Sequence, residues 1–504
     1  MTDYHDLKDF CEREKFDRFI IAADAETRVG VEKNGKLIEE VPAGGVSVAL
    51  DPVAKATNAI YIARGRTDVE KRLGGFFNKS EIEEANGKYT LKRIFFKKEE
   101  IDDYYLGFSN STLWPLCHIA FQPPVFNDKW FRTFKKVNKD FADNIKKEIK
   151  GKTFVWVNDY QLAFVPSLLP KNKNLTIAMF WHIPWPTWEI FRVLPYKKEL
   201  LEGMLSCDFI AFHRGYQARN FLDTVERELA VQIDQETSTV RFGDKRTVVK
   251  SLPMGIDTDV IENIVGNEEK DTLSGKLIKF FLKEKKTEKT DGIYALFNNY
   301  KVMLGVDRFD YTKGLRLRMM AIDRFFEKNE KYKGKVVYVG ILAPSRKGIP
   351  AYDNFVKDVC ELIDAINKKH QKGDWKPIHA VVKVFSRPDI LEFYKKASLC
   401  LVTPLDDGMN LVSKEYVLAS SFSSNPGMLV LSQFAGSAID LSRSLIVNPY
   451  DIESLADAIK QGLEMDKNEI KKRIMSMRAT LEDRNIYQWA LDFIKNGIEA
   501  KNRI

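Results

Sequence analysis

Short runs of β-branched and aromatic residues alternate with longer segments of helical periodicity along most of this chain. Several of the short runs are continuously apolar, which is typical of parallel strands covered on both faces. Such alternation predicts a doubly wound α/β fold with parallel sheets between layers of helices. The predicted strands are residues 19–23, 59–63, 93–96, 154–157, 177–181, 208–212, 302–306, 336–341, 380–385, 399–403, 428–431 and 445–447. The clearest helical segments are 196–205, 315–327, 352–369 and 452–464.

A break in this alternation divides the chain into two predicted domains. The 504 residues exceed the usual size of a single core, and residues 267–289 are dominated by Lys and Glu. We expect Rossmann-like domains at 1–265 and 290–485, and a final helix within 486–504 that packs back on the first domain. Two such domains face each other across a cleft, and ligands bind outside the carboxyl ends of their strands. Functional residues are therefore expected in the loops that follow strands.

Composition limits the classes of partner. The net charge of +8 comes from 79 basic and 71 acidic residues that are largely interleaved, as on solvated helix faces. A nucleic-acid-binding protein would have a patch of one charge sign with aromatic residues, and this sequence contains no such patch. The five scattered cysteines form no CxxC pair, which favours a reducing compartment over disulfides or a zinc site. The charged N-terminus lacks a signal peptide, and no apolar run is long enough to span a membrane. These features predict a cytoplasmic protein.

The segment LDDGMNLVSKE (405–415) follows a predicted strand and opens a helix. A helix start with a glycine leaves free backbone amides and a partial positive charge, which suit a phosphate or sugar hydroxyls. Asp407 and Glu415 lie slightly more than two helical turns apart, and their carboxylates can accept hydrogen bonds from sugar and ribose hydroxyls. A solvated Asp-Gly turn with an ordinary helix glutamate is the alternative interpretation.

The segment VDRFDYTKG (306–314) places Arg308 and Lys313 around a turn after another strand. A planar guanidinium and a compact ammonium suit a diphosphate leaving group, so that no metal and no cofactor are required. A third candidate is His182, which stands at a strand end before two prolines. A solvated basic loop and a structural histidine are the respective alternatives. Weaker candidates are Asn158, Asp159 and Tyr160, Tyr105 with Trp114, the turn at 43–45, and Arg346 in APSR (343–346).

Together these segments resemble the trehalose-6-phosphate synthase family of glycosyltransferases, in the same order from about residue 104 to 456. The most specific matches are DRFDYTKG (307–314) and DGMNLVSKEY (407–416). Others are FSNSTLWP (108–115), VWVNDYQL (155–162), FWHIPWPTWEIFRVLP (180–195), PMGID (253–257), PSRKGIPAY (344–352), LSQFAGSA (431–438) and IVNPYDIESLADAI (446–459).

The resemblance implies the GT-B fold, with the active site between two Rossmann-like domains, and transfer of glucose with retention from UDP-glucose or another nucleotide-glucose. It implies four catalytic residues, namely Arg308, Lys313, His182 and Asp159. It implies donor binding by Gly45, Arg308, Lys313, Val384, Phe385, Asp407, Gly408, Met409, Asn410, Leu411 and Glu415. It implies acceptor binding by Tyr105, Trp114, Asp159, Tyr160 and Arg346. The partners implied are a nucleotide-glucose and a small phosphorylated acceptor, without nucleic acid or membrane, and a homo-oligomer is left open.

The chain departs from the family pattern mainly on the acceptor side. The family's first strand ends in Ser-Asn-Arg, whose arginine binds the acceptor phosphate, and Ala25 or a neighbour stands in that place. Arg28 compensates only if the loop is shifted. A tryptophan expected after the second strand is replaced near Ala63 and Arg64, a family His-Asp-Tyr-His reads NDYQ (158–161), and Asp406 stands where arginine is common.

These departures leave three functions open. The leading prediction is synthesis of trehalose 6-phosphate from a nucleotide-glucose and glucose 6-phosphate. A related synthase that uses glycerol 3-phosphate or another small phosphorylated acceptor is the first alternative. A non-catalytic regulatory subunit of a trehalose-synthesis complex is less favoured, because such a protein would be expected to lose the donor residues that this chain has kept.

Overall fold

The structure is a computed structural model that describes residues 2–33, 36–42, 45–66, 78–84, 87–266 and 288–502. The chain forms two compact units, one of Met1–Gly255 with Asn485–Ile504 and one of Ile256–Arg484. The charged segment on which the predicted boundary depends, 267–287, lies outside the described residues, so the domain limits drawn from it stay predictions.

The first unit is built from the following elements up to residue 251. Its strands are β1 Arg18–Ala25, β2 Val29–Lys33, β3 Lys36–Glu40, β4 Ile60–Arg64, β5 Lys79–Glu84, β6 Gly87–Ile94, β7 Thr153–Asn158, β8 Leu175–Phe180, β9 Phe209–Phe212, β10 Gln232–Asp234, β11 Thr239–Phe242 and β12 Lys245–Ser251. Its α-helices are α1 Tyr4–Glu14, α2 Val46–Ala56, α3 Lys98–Ile101, α4 Trp114–Cys117, α5 Asp128–Lys146, α6 Val165–Leu168, α7 Trp188–Phe191, α8 Lys197–Met204 and α9 Gly215–Glu228. A π-helix covers Asp102–Leu113, and a 3₁₀ turn covers Tyr160–Leu162.

The main sheet of this unit is doubly wound. Its strand order among the described residues is β10-β11-β12-β9-β8-β7-β1-β4-β6-β5. Neighbours from β12 to β6 pair in parallel, while β5, β11 and β10 pair antiparallel at the two edges. The chain runs outward from β1 through β4 to β6 and then returns to β7 on the other side. The strand order therefore reverses between β1 and β7, which is where ligands bind in open α/β sheets.

The second unit repeats this plan in a simpler form. Its strands are β13 Lys301–Arg308, β14 Val336–Ala343, β15 Ile378–Val381, β16 Leu399–Val402, β17 Met428–Ser432 and β18 Leu445–Val447. Its α-helices are α10 Thr258–Val265, α11 Glu288–Asn299, α12 Leu315–Lys328, α13 Pro350–His370, α14 Arg387–Lys396, α15 Leu411–Ser420, α16 Ile452–Glu464 and α17 Lys467–Asp483, with 3₁₀ turns at Tyr311–Lys313, Glu330–Tyr332 and Gly436–Ala438. The order β15-β14-β13-β16-β17-β18 is parallel throughout, so the reversal lies between β13 and β16.

The last helix, α18 (Ile486–Asn502), belongs to the first unit. Its Phe493 is buried, and its ring stacks on that of Trp156 in β7 at a centroid distance of 4.0 Å. Gly497 brings the helix close to the sheet, since a Cβ there would lie 2.9 Å from the ring of Phe154. The C-terminal segment is thus part of the apolar core that covers β7, β8 and β9.

The predicted doubly wound α/β class is confirmed. Strand β6 ends at Ile94 instead of residue 96, and β15 covers Ile378–Val381 instead of 380–385. In the second case, Ser386 caps α14 by accepting a hydrogen bond from the Asp389 amide, so the chain leaves the sheet before the helix begins. No helix in the described part of the chain is long and apolar enough to cross a membrane.

Candidate active site

In the second unit, the two strands that flank the reversal lead directly into the two charged motifs. Strand β13 ends at Arg308, and β16 ends at Val402, just before the segment 405–415. The two loops are joined by a backbone hydrogen bond from Leu405 to the carbonyl of Thr312, at 2.7 Å. The structure therefore brings together, at the carboxyl edge of the sheet, motifs that lie about a hundred residues apart in sequence.

Gly314 permits this close approach of the loops. Its φ is +66°, and a Cβ there would lie 2.1 Å from the Thr403 carbonyl oxygen. A side chain is excluded both by the left-handed backbone and by the neighbouring strand end. The glycine thereby fixes the preceding residue, Lys313, over the end of β16.

Lys313 and Asp407 form an ion pair across the two loops. The lysine Nζ lies 2.5 Å from Asp407 Oδ2, and both side chains are largely buried. Asn410 donates from Nδ2 to the same carboxylate oxygen at 3.0 Å. The Lys313 ammonium and the Asp407 carboxylate are therefore held in fixed positions.

The start of α15 is built around Asn410 and Leu411. Asn410 has a φ of +73° and caps the helix by accepting a hydrogen bond from the Ser413 amide. Gly436 packs so closely on this turn that a Cβ would lie 2.0 Å from the Gly408 carbonyl oxygen, and the Met409 carbonyl accepts from the Ser437 amide at 2.7 Å. The predicted residues 408–411 thus form a rigid turn at a helix N-terminus, a geometry that suits anionic ligands.

Glu415 lies one turn into α15 and faces the start of α14. Its Oε1 is 3.5 Å from Arg387 Nη2, its side chain is 19% exposed, and burial raises its pKa. Val384 is exposed and Phe385 is buried, immediately before α14. The structure therefore places Glu415, Val384 and Phe385 in neighbouring elements at the carboxyl edge of the sheet.

Two arginines share one buried carboxylate. Asp310 Oδ2 lies 3.2 Å from Arg308 Nη2 and 3.0 Å from Arg346 Nη1. Burial alone would raise the pKa of Asp310, but the positive charges of Arg308 and Arg346 outweigh it and hold the pKa at about 2. Arg346, predicted for the acceptor, thus lies beside the predicted donor residue Arg308. Because two arginines share one carboxylate, the group of three residues keeps a net positive charge.

Arg318 is a positioning residue that the sequence analysis did not single out. Its guanidinium is fully buried. It donates to Asp307 at 2.6 Å, to Thr403 Oγ1 at 2.8 Å and to the Lys313 carbonyl at 3.2 Å. One side chain on α12 therefore ties together the ends of β13 and β16 and the turn that carries Lys313.

In the first unit, Asp159 and His182 follow adjacent strands beside the reversal. Asp159 comes directly after β7 with a φ of +69°, and its carboxylate accepts a hydrogen bond from the His182 amide at 2.9 Å. Burial raises the pKa of Asp159 to about 7, although backbone amides of His182, Tyr160 and Ile183 act in the opposite direction.

The imidazole of His182 is buried and neutral. Its Nε2 lies 3.3 Å from Asn158 Oδ1, and Nδ1 has no hydrogen-bond partner among the described residues. Burial lowers the pKa of His182 to about 3. The aromatic rings of Phe180, His213 and Trp489 surround it. A neutral ring can present one nitrogen to a hydroxyl group without bringing a charge.

The predicted acceptor residues of the first unit lie in one connected group. The Tyr160 hydroxyl donates to Asn110 Oδ1 at 2.8 Å, and Asn110 Nδ2 donates to the Tyr105 carbonyl at 2.7 Å. The ring centroids of Trp114 and Tyr160 are 6.1 Å apart. The residues 105–114 are carried by the π-helix and the start of α4, neither of which the periodicity analysis detected.

Gly45 is the N-cap of α2, the helix that follows the β2–β3 hairpin. Its φ is +94°, and a Cβ there would meet no atom within 4 Å. The other residues of the predicted glycine turn, Ala43 and Gly44, lie outside the described residues. No group of three or more His, Cys, Asp or Glu side chains in the described part of the chain could hold a metal ion.

The sequence as a whole matches a known family. The model of "Glycosyltransferase family 20" matches residues 19–498. The chain belongs to glycosyltransferase family 20. The predicted resemblance to the trehalose-6-phosphate synthase family is therefore confirmed, and the chain is a hexosyltransferase with the GT-B fold.

Family 20 relatives of different lengths match nearly the whole chain. An α,α-trehalose-phosphate synthase [UDP-forming] of Candida albicans is 31% identical over 92% of this chain and 93% of its own length. An α,α-trehalose-phosphate synthase [UDP-forming] A of Dictyostelium discoideum is 32% identical over 94% of this chain. This chain spans only 61% of the Dictyostelium protein, and 59% of a bifunctional trehalose-6-phosphate synthase/phosphatase of Thermoproteus tenax.

Solved structures of this family match nearly the whole chain. A trehalose-6-phosphate structure from E. coli bound with UDP-2-fluoro glucose matches with a TM-score of 0.80 and 28% identity over 96% of this chain and 99% of that chain. An α,α-trehalose-phosphate synthase (UDP-forming) from Burkholderia xenovorans in complex with glucose-6-phosphate matches with a TM-score of 0.81 and 28% identity over 95% of this chain and 100% of that chain.

Proposed function

We propose that this family 20 enzyme transfers glucose, with retention of configuration, from UDP-glucose to glucose 6-phosphate and so forms α,α-trehalose 6-phosphate. The observation that carries the proposal is the convergence of Arg308, Lys313, Asp407 and Glu415 at the strand reversal of the second unit. The UDP-forming relatives support UDP as the nucleotide, and the Burkholderia complex supports glucose 6-phosphate as the acceptor.

We assign the donor to the second unit. Arg308 and Lys313 bind the diphosphate, assisted by backbone amides at residues 409–411 on the start of α15. Asp407 accepts hydrogen bonds from donor-glucose hydroxyls, and the partly buried Glu415 accepts those of the ribose. The backbone at Val384 and Phe385 contacts the base. The family resemblance assigns a diphosphate contact to Gly45 and a donor-glucose contact to His182.

The acceptor sugar is assigned to the aromatic group of Tyr105, Trp114 and Tyr160, with Asp159 accepting a hydrogen bond from a sugar hydroxyl. Asp159 is suited to this because the His182 amide fixes its carboxylate at 2.9 Å. We assign Arg346, whose guanidinium pairs with Asp310, to the acceptor phosphate.

The reaction needs stabilisation of the leaving group more than it needs a protein nucleophile. As the bond from the glucose C1 to the diphosphate oxygen breaks, negative charge grows on that phosphate, and Arg308 and Lys313 offset it. One preorganised donor of this kind stabilises a transition state by roughly 3–4 kcal/mol. The departing phosphate oxygen takes the proton of the attacking acceptor hydroxyl on the same face of the sugar, which accounts for retention.

Product identification tests the proposal directly. Purified enzyme is incubated with UDP-, GDP- or ADP-glucose and with glucose 6-phosphate or glycerol 3-phosphate, nucleotide release is followed, and products are identified by mass. We expect trehalose 6-phosphate from UDP-glucose and glucose 6-phosphate. Arg308→Ala should lower kcat by about 10²–10³-fold, and Glu415→Ala should raise the KM for UDP-glucose.

Arg316→Ala and Glu361→Ala are the matched controls, because both side chains are exposed on helices of the same unit. Both controls should retain wild-type kinetics. Transfer to glycerol 3-phosphate alone would contradict the named product and keep the donor assignment. Absence of transfer to either acceptor would contradict catalysis and favour a regulatory subunit.

A further inference from the structure

A buried arginine ends strand β4 on the acceptor side of the first unit. In the parallel pairing of β1 with β4, Arg64 is the register partner of Ala25, and a bulge displaces Asp24 from the ladder. Strand β1 borders the reversal, so Arg64 stands at the carboxyl edge one strand away from it. Bulges beside functional sites often redirect a side chain.

The contacts of Arg64 leave part of its guanidinium available. Nε and Nη2 donate to the two carboxylate oxygens of Asp24, at 2.9 and 2.8 Å. This bidentate pair fixes one edge of the guanidinium. Its Nη1 has no hydrogen-bond partner among the described residues, and its side chain is 7% exposed. A planar guanidinium held along one edge can bind an oxyanion with its other donors.

The surroundings link Arg64 to the proposed acceptor residues. Its Cζ lies 4.7 Å from the centre of the Tyr105 ring, and the hydroxyl of the adjacent Tyr104 donates to Asp24 at 3.0 Å. The Asp24–Arg64 pair thus lies against the same π-helix that carries Tyr105.

Two nearby arginines, Arg28 and Arg93, are already held by two carboxylates each. Arg28 donates to Asp51 and to Glu84, both at 2.7 Å. Arg93 lies 2.7 Å from Glu26 and 2.8 Å from Glu39. Arg28 is therefore fully paired within an ionic network. We do not assign to it the phosphate contact that the absent family arginine makes. Arg64, by contrast, pairs with the single carboxylate of Asp24, on which the positive charge of Arg66 also acts.

We propose that Arg64 binds the phosphate group of the acceptor sugar, through Nη1 and the free hydrogen of Nη2, while Asp24 orients the opposite edge. This inference rests on the proposed function in taking a phosphorylated sugar as the acceptor. Ala25 or a neighbour stands in the place of the family's phosphate-binding arginine. Arg64, the register partner of Ala25 on the next strand, then provides the positive charge.

Calorimetric titration of glucose 6-phosphate and of D-glucose, in the presence of UDP, tests the inference independently of turnover. We expect Arg64→Gln to weaken glucose 6-phosphate binding by about 10- to 100-fold, the range for one charged hydrogen bond. The affinity for D-glucose should not change. Arg18→Gln, at the opposite end of the same sheet, is the control and should bind glucose 6-phosphate as the wild type does.

A double variant separates binding from folding. Arg64→Gln alone leaves Asp24 buried without its partner, and this could disturb the fold. Asp24→Asn combined with Arg64→Gln removes both charges. If Arg64 only neutralises Asp24, the double variant regains wild-type affinity for glucose 6-phosphate, and the inference is wrong. If Arg64 binds phosphate, the double variant stays weakened while its circular dichroism and unfolding midpoint match those of the wild type.

The remaining outcomes distinguish this inference from the proposed function. Arg64-dependent binding of glucose 6-phosphate without formation of trehalose 6-phosphate supports the phosphate site and contradicts the proposed reaction. Formation of trehalose 6-phosphate with the same KM for glucose 6-phosphate in Arg64→Gln contradicts the phosphate site alone. A wild-type protein that binds no glucose 6-phosphate contradicts the inference as well.

Discussion

At the scale of single residues, burial sets the protonation state of His182. Its pKa falls from an ordinary 6.5 to about 3 because the ring is removed from water. Between these two values, the unfolded chain binds a proton at this position that the folded chain does not bind. The free energy of unfolding must therefore decrease as the pH decreases through that window.

We predict that His182→Phe flattens this pH dependence. Relative to the variant, the wild type should lose up to about 1.4 kcal/mol of unfolding free energy per pH unit below pH 6.5. Urea unfolding at a series of pH values measures the two slopes, which can be compared even if the substitution changes the absolute stability. His5→Phe, at an exposed position, should keep the wild-type slope. Equal slopes for His182→Phe and the wild type would show that the buried imidazole is protonated in the folded protein.

The residues predicted from sequence are those carried by contiguous motifs. Arg308, Lys313, Asp407 and Glu415 are recognisable because each stands in a short segment that follows a strand. Arg318 has no such signal, since one of its partners, Thr403, lies 85 residues away. Buried ion pairs of this kind depend on which strands are neighbours, and local spacing contains no information about that.

At the scale of elements, Gly314 tests how closely the β13 and β16 loops must approach. Gly314→Ala places a Cβ 2.1 Å from the Thr403 carbonyl oxygen, in a backbone conformation with a φ of +66°. The left-handed conformation costs about 1–2 kcal/mol for a residue with a side chain, and the clash must in addition move the turn that carries Lys313. We expect a lower unfolding midpoint and a lower kcat/KM for UDP-glucose.

Gly334→Ala isolates the effect of the clash. Gly334 also has a positive φ, +82°, but a Cβ there would meet no atom within 4 Å. This variant should lose a similar amount of stability from the backbone conformation while its kcat/KM stays at the wild-type value. Equal kinetic losses in both variants would show that the Lys313 turn does not depend on contact with β16.

The elements found from sequence include most of the buried parallel strands, and those missed include a charged edge strand and a buried π-helix. Continuous apolar runs identified β7, β8, β13, β14, β16 and β17, because these strands are covered on both faces. The antiparallel edge strand β5 (Lys79–Glu84) is mostly charged and exposed, so its sequence carries no apolar run. The π-helix at Asp102–Leu113 is buried at most of its positions, which hides any helical periodicity.

At the scale of the whole molecule, both units contain a parallel sheet whose strand order reverses. They differ in the residues that lie beside this reversal. The second unit places basic residues beside the start of a helix, which suits a nucleotide diphosphate. The first unit places a neutral histidine, a buried carboxylate and aromatic rings there, which suit uncharged sugar hydroxyls. The cytoplasmic location and the oligomeric state stay predictions, because neither follows from these features.

The C-terminal helix also tests which segments form one folding unit. Phe493 in α18 is fully buried and packs on Trp156, although more than 300 residues separate them. Phe493→Ala should cost about 3–5 kcal/mol, as expected for a large aromatic residue removed from a core. We predict faster amide hydrogen exchange in β7, β8 and β9, and unchanged exchange in β13 and β16, measured by mass spectrometry of peptide fragments.

The reciprocal variant is Phe326→Ala in α12, which removes a fully buried ring from the core of the second unit. It should increase exchange in β13 and β14 and leave β7 to β9 protected, because the apolar contacts that it removes lie within that unit. If Phe493→Ala instead increased exchange in β13 and β16 as much as in β7 to β9, the two units would unfold as one cooperative body. If it changed exchange in neither, α18 would make no contribution to the stability of the first unit. The predicted pattern, with each substitution affecting only its own sheet, would show that the last 20 residues of the chain complete a domain that begins at its N-terminus.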